Sequence, residues 1–119
     1  MTRSDEGVKD TGMDPAGYAA SISSFFKRLV GAVDAADPDV VECDATGDMV
    51  TITAPKSGAK VIVNTQRAVW QIWVAGKGEG VHFSRADDGR WMDDKGKGLE
   101  LGAWVVECVR DASGVTITL

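Results

Sequence analysis

The 119-residue sequence is poor in residues that many active sites and binding functions require. Its one histidine, His82, would have to serve any histidine-based catalytic dyad. Lys and Arg number 13 against 18 Asp and Glu, and the net charge of −5 argues against nucleic acid, whose phosphates need a basic surface. No apolar run approaches the ~18 residues of a membrane-spanning helix. A cationic partner or a metal ion suits this charge better.

Cysteine is scarce, and the N-terminus lacks targeting features. Cys43 and Cys108 each lie in an apolar run, which predicts reduced, buried thiols in a reducing compartment; a disulfide between them is the alternative. The N-terminus has neither an apolar core nor an Arg-rich, acid-poor composition, so we expect neither a secretory signal nor a transit peptide. Residues 1–12 are polar and aperiodic, which predicts a disordered leader before one domain at 13–119.

The chain then changes from a helical period to a strand period. Asp14-Pro15 is a helix start signal, apolar residues follow at spacings of three and four, and Asp37-Pro38 ends the pattern, so we expect a helix over 15–36. Short strands are predicted at 41–44, 49–54, 60–64, 70–75, 81–84 and 90–92, a second helix from near Gly98, and an extended run over 115–119.

This order predicts an α+β fold. Strands that follow one another so closely must pair antiparallel. We expect a two-layer α/β sandwich, with an antiparallel sheet of about six strands and two helices, N- and C-terminal, on one face. The other face is then open to solvent, and its residues are available for binding.

Acidic residues are concentrated in one stretch. No Lys or Arg occurs between Leu29 and Pro55, and this stretch contains the carboxylates of Asp34, Asp37, Asp39, Glu42 and Asp44, followed by Asp48. We call the first five the acidic ridge. Clustered carboxylates offer hard oxygen ligands for a weakly held, exposed metal ion. A solvated surface and an electrostatic dock for a basic partner are the alternative interpretations.

One aromatic side chain is predicted on the open sheet face. Alternation in the strand places Trp73 and Gln71 outward, with His82 outward on the next strand and Asn64 nearby. These four residues predict a partner-binding hot spot, with an ordinary aromatic patch as the alternative. Because both cysteines are predicted inward and His82 outward, we expect no catalytic residue.

Residues 64–75 read Asn-Thr-Gln-Arg-Ala-Val-Trp-Gln-Ile-Trp-Val-Ala. They resemble the central signature of the frataxin family, Asn-x-Gln-x-x-x-x-Gln-(Ile/Val)-Trp-(Leu/Val)-(Ala/Ser). The resemblance continues through Gly80-Val81-His82-Phe83 and Gly89-Arg90-Trp91, and it is to the bacterial, CyaY-type branch. Trp70 departs from the family, which usually has a small polar or basic residue there.

The resemblance implies a function in iron–sulfur cluster assembly. It implies iron, Fe²⁺ or Fe³⁺, bound weakly on the acidic ridge, and binding to a cysteine desulfurase and the scaffold protein, so that the chain regulates cluster assembly or supplies its iron. The alternatives are a ferroxidase and iron-storage oligomer, and a metal-independent acidic protein-interaction domain. The implied location of the monomer is the bacterial cytoplasm, or the mitochondrial matrix in a eukaryote.

Overall fold

The computed structural model describes residues 14–119; the leader predicted at 1–12 lies outside the described residues. Helix α1 spans Pro15–Asp34. Its start is as predicted. The Asp14 carboxylate accepts a hydrogen bond from the Gly17 N–H at 2.6 Å, and Pro15, which has no N–H, lies in the first turn, where a backbone N–H has no partner within the helix. The helix ends at Asp34 rather than at 36, since Ala36 donates to the carbonyl of Val33 in a tighter turn.

Six strands follow and form one antiparallel sheet. They are β1 (Glu42–Ala45), β2 (Met49–Ala54), β3 (Ala59–Gln66), β4 (Gln71–Gly76), β5 (Glu79–Arg85) and β6 (Trp91–Asp93). Each strand pairs with the next along the chain, so the order in the sheet is the order in the sequence. Lys77 and Gly78 both have positive φ, 53° and 77°, as the tight hairpin turn between β4 and β5 requires.

Both helices cover the same face of the sheet. Helix α2 spans Leu101–Ser113, and its N-cap is Glu100, whose carboxylate accepts from two backbone N–H groups. Alternate strand residues point toward the helices and are at most 5% exposed: Val50, Ile52, Val61, Val63, Ile72, Val74, Val81 and Phe83. Helix α1 packs on β1 and β2, and α2 packs on β2, β3 and β4. The predicted two-layer α+β fold is confirmed.

A further difference from the sequence-based prediction lies at the start of β4. Strand β4 begins at Gln71 and not at Trp70, because Trp70 has a left-handed backbone (φ 57°, ψ 41°) that closes a short 3-10 helix at Arg67–Val69. Residues 115–119, predicted as an extended run apart from the six strands, belong to no helix or strand, and Ile117 is buried against the core. In the described part of the chain, no helix has both the length and the apolar character needed to cross a membrane.

Candidate functional site

The four residues predicted to bind a partner come together on the uncovered face of the sheet. Trp73 of β4 pairs with Asn64 of β3 on one side and with His82 of β5 on the other. Gln71 lies two residues before Trp73 on β4 and therefore projects from the same face. All four are half-buried. We call these residues the Trp73 row.

The indole of Trp73 lies on the sheet and does not project into solvent. A Cβ added to Gly80 would stand 2.7 Å from the indole Nε1 and 2.8 Å from Cζ2, closer than van der Waals contact allows. The indole therefore covers the backbone of Gly80, and any larger residue at position 80 would force the ring to move. The predicted face is correct, and the ring is half-buried on that face because Gly80 of the neighbouring strand leaves room for it to pack.

Gln71 is held in place by two hydrogen bonds. Its Nε2 donates to the Ser84 hydroxyl at 2.8 Å and to the Asp94 carboxylate at 3.3 Å. Both bonds use the amide nitrogen, and no described residue donates to the amide oxygen, which can therefore accept a bond from a partner. Behind the strand, the Tyr18 hydroxyl donates to the Gln71 carbonyl oxygen at 2.6 Å, which ties this position to helix α1.

The acidic ridge is built from the end of α1, the following loop and the edge strand β1. Asp34 is the last residue of α1, Asp37 and Asp39 lie in the loop, and Glu42 and Asp44 are on β1; all five are exposed. Among residues 14–119, two hydrogen bonds involve these carboxylates. The Cys43 thiol donates to Asp34 Oδ1 at 3.8 Å, and the backbone N–H of Asp39 donates to Asp37 Oδ1 at 2.9 Å.

The ridge is neither neutralised nor arranged as a preformed metal centre. Within residues 14–119, none of its carboxylates forms an ion pair, and no group of three or more His, Cys, Asp or Glu side chains is positioned to hold a metal ion. Asp48, the sixth acid of the stretch, is separate, because it pairs with Arg67 at 2.8 Å and accepts from the Thr65 hydroxyl. Those hydrogen bonds and the nearby guanidinium lower the pKa of Asp48.

A family model described as a frataxin-like domain matches residues 11–114. The chain belongs to the frataxin family. It is 42% identical over 91 residues to the iron-sulfur cluster assembly protein CyaY of Cupriavidus metallidurans, covering 76% of this chain and 78% of that protein. It is 39% identical over 88 residues to the protein of that name from Ralstonia pickettii, covering 74% and 75%. The CyaY-type resemblance is confirmed.

A solved structure has the same fold as this frataxin-family chain. The frataxin from Psychromonas ingrahamii matches with a TM-score of 0.76 and 21% sequence identity, over 88% of this chain and 96% of that one. At that identity the match supports the two-layer arrangement of helices and sheet. It says nothing further about which side chains act.

The most exposed tryptophan of this frataxin-family chain was not among the predicted site residues. Trp70 is 40% exposed and its neighbour Val69 is 56% exposed; within residues 14–119 they are the exposed large hydrophobic side chains. The rings of Trp70 and Tyr18 pack in a T-shaped arrangement with their centroids 5.2 Å apart. The one available signal in the sequence was the departure at position 70 from the family's usual small polar or basic residue.

The two cysteines are free and poorly suited to nucleophilic chemistry. Cys108 is fully buried, and burial raises its pKa to about 11. Cys43 is half-buried, and its pKa is raised first by burial and then by the nearby Asp34 carboxylate. A raised pKa keeps both sulfurs protonated at neutral pH, whereas the nucleophile is the thiolate. Cys108 is buried as predicted, whereas Cys43 is only half-buried, and the reduced state of the two thiols stays a prediction.

Proposed function

We propose that this frataxin-family protein binds a cysteine desulfurase and the scaffold protein on which iron–sulfur clusters form, and that it regulates cluster assembly or supplies its iron. The relatives from Cupriavidus and Ralstonia are named for iron-sulfur cluster assembly, which supports the process. The observation that carries the proposal is the Trp73 row, a fixed indole between polar side chains on a face that the helices leave open. Such a protein acts in the cytoplasm.

The Trp73 row has the properties of a binding hot spot. A tryptophan that is already packed loses little side-chain entropy when a partner covers it. Asn64 and the free amide oxygen of Gln71 offer hydrogen-bonding groups beside the indole. His82 adds a ring whose Nδ1 is buried and has no hydrogen-bond partner among the described residues.

The acidic ridge supports a second contact, with a basic surface of the partner. Its five carboxylates are exposed and form no ion pair with any described residue. Uncompensated charge of one sign accelerates encounter with an oppositely charged surface and orients the two molecules. Exposed ion pairs contribute little affinity, so the ridge steers the partner while apolar contacts hold it.

Iron binding on the ridge is a weaker part of the proposal. Carboxylate oxygens suit Fe²⁺ and Fe³⁺, but no three of them converge within the described residues, so any site is open and the affinity low. That absence of convergence favours a second candidate function, an acidic protein-interaction domain that works without metal. A chelator separates the two, because only an iron-dependent protein loses partner binding or activity when iron is removed.

The decisive experiment compares the two tryptophans that flank the start of β4. Trp73→Ala is expected to weaken binding to the purified desulfurase–scaffold complex by about 30-fold or more, the effect of a hot-spot residue. Trp70→Ala is the matched control, since it removes an exposed indole outside the Trp73 row, and it should leave binding within about twofold. Loss of binding with Trp70→Ala alone would assign the contact to the segment that precedes β4 and contradict the proposal.

The metal part is tested by titrating Fe²⁺ anaerobically while backbone amide resonances are followed. We expect line broadening and shifts confined to residues 34–48, with no saturation at low micromolar metal. A Glu42→Gln, Asp44→Asn double variant should lose most of the response. Resonances of 34–48 that stay unchanged, or an identical response in the double variant, would remove iron from the proposed function.

A further inference from the structure

A groove with an apolar floor lies beside the acidic ridge. It runs along the flank of α1, between the helix and the β1–β2 turn, and has a volume of about 600 Å³. Its floor is formed by Ile22 and Phe26, which are 2% and 7% exposed, and by the half-buried Val30. Small residues of α1 and of the turn at 45–47 form the walls, and they leave the space that larger side chains would fill.

One end of the groove opens directly onto the ridge. Gly31 lines the groove one helical turn before Asp34, and Ala45 lines it immediately after Asp44. The Cys43 thiol and the Asp34 carboxylate are 3.8 Å apart, so α1 and β1 are in contact at this end. The far end is bounded by Arg67, whose guanidinium is paired with Asp48. Lys27 of α1 also lines the groove.

We propose that this groove receives a bulky apolar side chain from the same partner segment whose Lys or Arg side chains contact the acidic ridge. The inference rests on the proposed function, because it assumes that the ridge is a docking surface. Exposed charges determine approach and orientation, whereas affinity comes from an apolar group that fills a pocket and loses its water. The groove is an apolar pocket that adjoins the ridge through Gly31 and Ala45.

The geometry specifies the chemistry of the partner segment. Gly31 and Asp34 are about 5 Å apart along the helix axis, one turn of α1. The partner segment must therefore have a Leu, Ile, Met or Phe close to a Lys or Arg, within about one helical turn or two residues of strand.

Filling the groove tests the proposal without altering the ridge. A Cβ at Gly31 would meet nothing within 4 Å, and Ser23 is an exposed position of α1 that lines the same groove. Gly31→Leu and Ser23→Leu place a side chain where the partner's would enter, and leucine is a good helix former. Gly31→Ala and Ser23→Ala are the matched controls, because they change the residue but leave the groove open.

The measurement is the binding of each variant to the purified cysteine desulfurase in 0.1 M and 1 M NaCl. Both Leu variants should bind about tenfold or more weakly, mainly through faster dissociation, while both Ala variants stay within about twofold of the wild type. In 1 M salt, where charge is screened beyond ~3 Å, the wild type should retain binding that the Leu variants lack. Urea unfolding of all four variants confirms that they are folded.

The outcomes separate this inference from the proposed function. Leu variants that bind as tightly as the wild type would overturn the groove as a pocket while leaving the desulfurase as the partner. Complete loss of wild-type binding in 1 M salt would also overturn the groove as a pocket, because an apolar contact is not weakened by charge screening. No wild-type binding in either salt would overturn the proposed function, and the inference with it.

Discussion

Two glycines of the helix and sheet layers have opposite surroundings. Gly31 lies inside α1, where an added Cβ would meet no atom within 4 Å. Gly76 ends β4 beneath α2, where a Cβ would stand 2.6 Å from the Cys108 sulfur and 2.8 Å from its Cβ. Gly31 therefore costs helix stability without a packing reason, whereas Gly76 allows α2 to approach the sheet.

We expect opposite stability changes from the same substitution at these two positions. Gly31→Ala should raise the free energy of unfolding by about 0.5–1 kcal/mol, because alanine has the higher helix propensity and restricts the unfolded chain. Gly76→Ala should lower it by about 1–3 kcal/mol, because the new methyl group overlaps the Cys108 side chain. Urea denaturation measures both. A destabilised Gly31→Ala would mean that the glycine has a role in α1 that its surroundings do not reveal.

Side-chain direction was predictable at most single positions, but the backbone of Trp70 was not. Strict alternation from Ile72 places Trp73 outward and buries Val74, which the structure confirms. A left-handed backbone at a bulky residue is rare, and no local pattern indicates it. The Tyr18 ring that supports Trp70 belongs to the first helix, so this conformation depends on a contact between distant parts of the chain.

At the scale of elements, one carboxylate organises the connection between β6 and α2. Asp93 is 8% exposed, and its two oxygens accept hydrogen bonds from the backbone N–H groups of Lys97 and Leu99, both at 2.8 Å, and of Lys95 at 3.1 Å. These bonds, that from Lys97 foremost, lower the pKa of Asp93 against the opposing effect of burial. The sequence predicted turn residues here but not the carboxylate at their centre, because the three donors come from different positions of an irregular loop.

The lowered pKa of Asp93 predicts a loss of stability in acid. A carboxyl whose pKa is lower in the folded than in the unfolded state stabilises the fold above its unfolded value, near 3.9, and this contribution is lost as the pH falls through the folded value. Asp93→Asn should therefore lower the urea midpoint at pH 7, and its difference from the wild type should shrink below about pH 4.

The control for this experiment is Asp87→Asn, which changes an exposed carboxyl in the β5–β6 turn. At each pH between 3 and 7, the urea midpoint of this variant should stay close to that of the wild type. A difference between Asp93→Asn and the wild type that stayed constant across that range would contradict the prediction. The loss of stability would then come from the altered hydrogen-bonding geometry of the amide and not from the loss of the carboxylate charge.

At the scale of the whole molecule, the acidic ridge is unpaired within residues 14–119, whereas several acids elsewhere are paired with Lys or Arg. Lys77 pairs with Glu107, Lys97 with Glu79, Arg67 with Asp48 and Arg90 with Asp88. These ion pairs neutralise acids away from the ridge, so the ridge carries much of the net charge of −5. The sequence predicted this asymmetry, because it follows from the missing Lys and Arg between positions 29 and 55. It could not predict that the ridge carboxylates would fail to converge on one point, since that depends on the directions of α1, the loop and β1.

Unpaired like charges on the ridge are expected to reduce stability, and removing two of them tests this. Glu42→Gln with Asp44→Asn should raise Tm by about 1–3 °C at low salt, because repulsion along the edge strand falls, and the gain should vanish near 1 M NaCl. Glu79→Gln, which removes an acid that is paired with Lys97, should give no gain. Such a cost to stability is the result expected if the ridge carries the proposed binding to a cation or a basic partner. If the double variant instead melted at a lower temperature, the ridge carboxylates would be stabilising the fold, and the need for a binding function there would disappear.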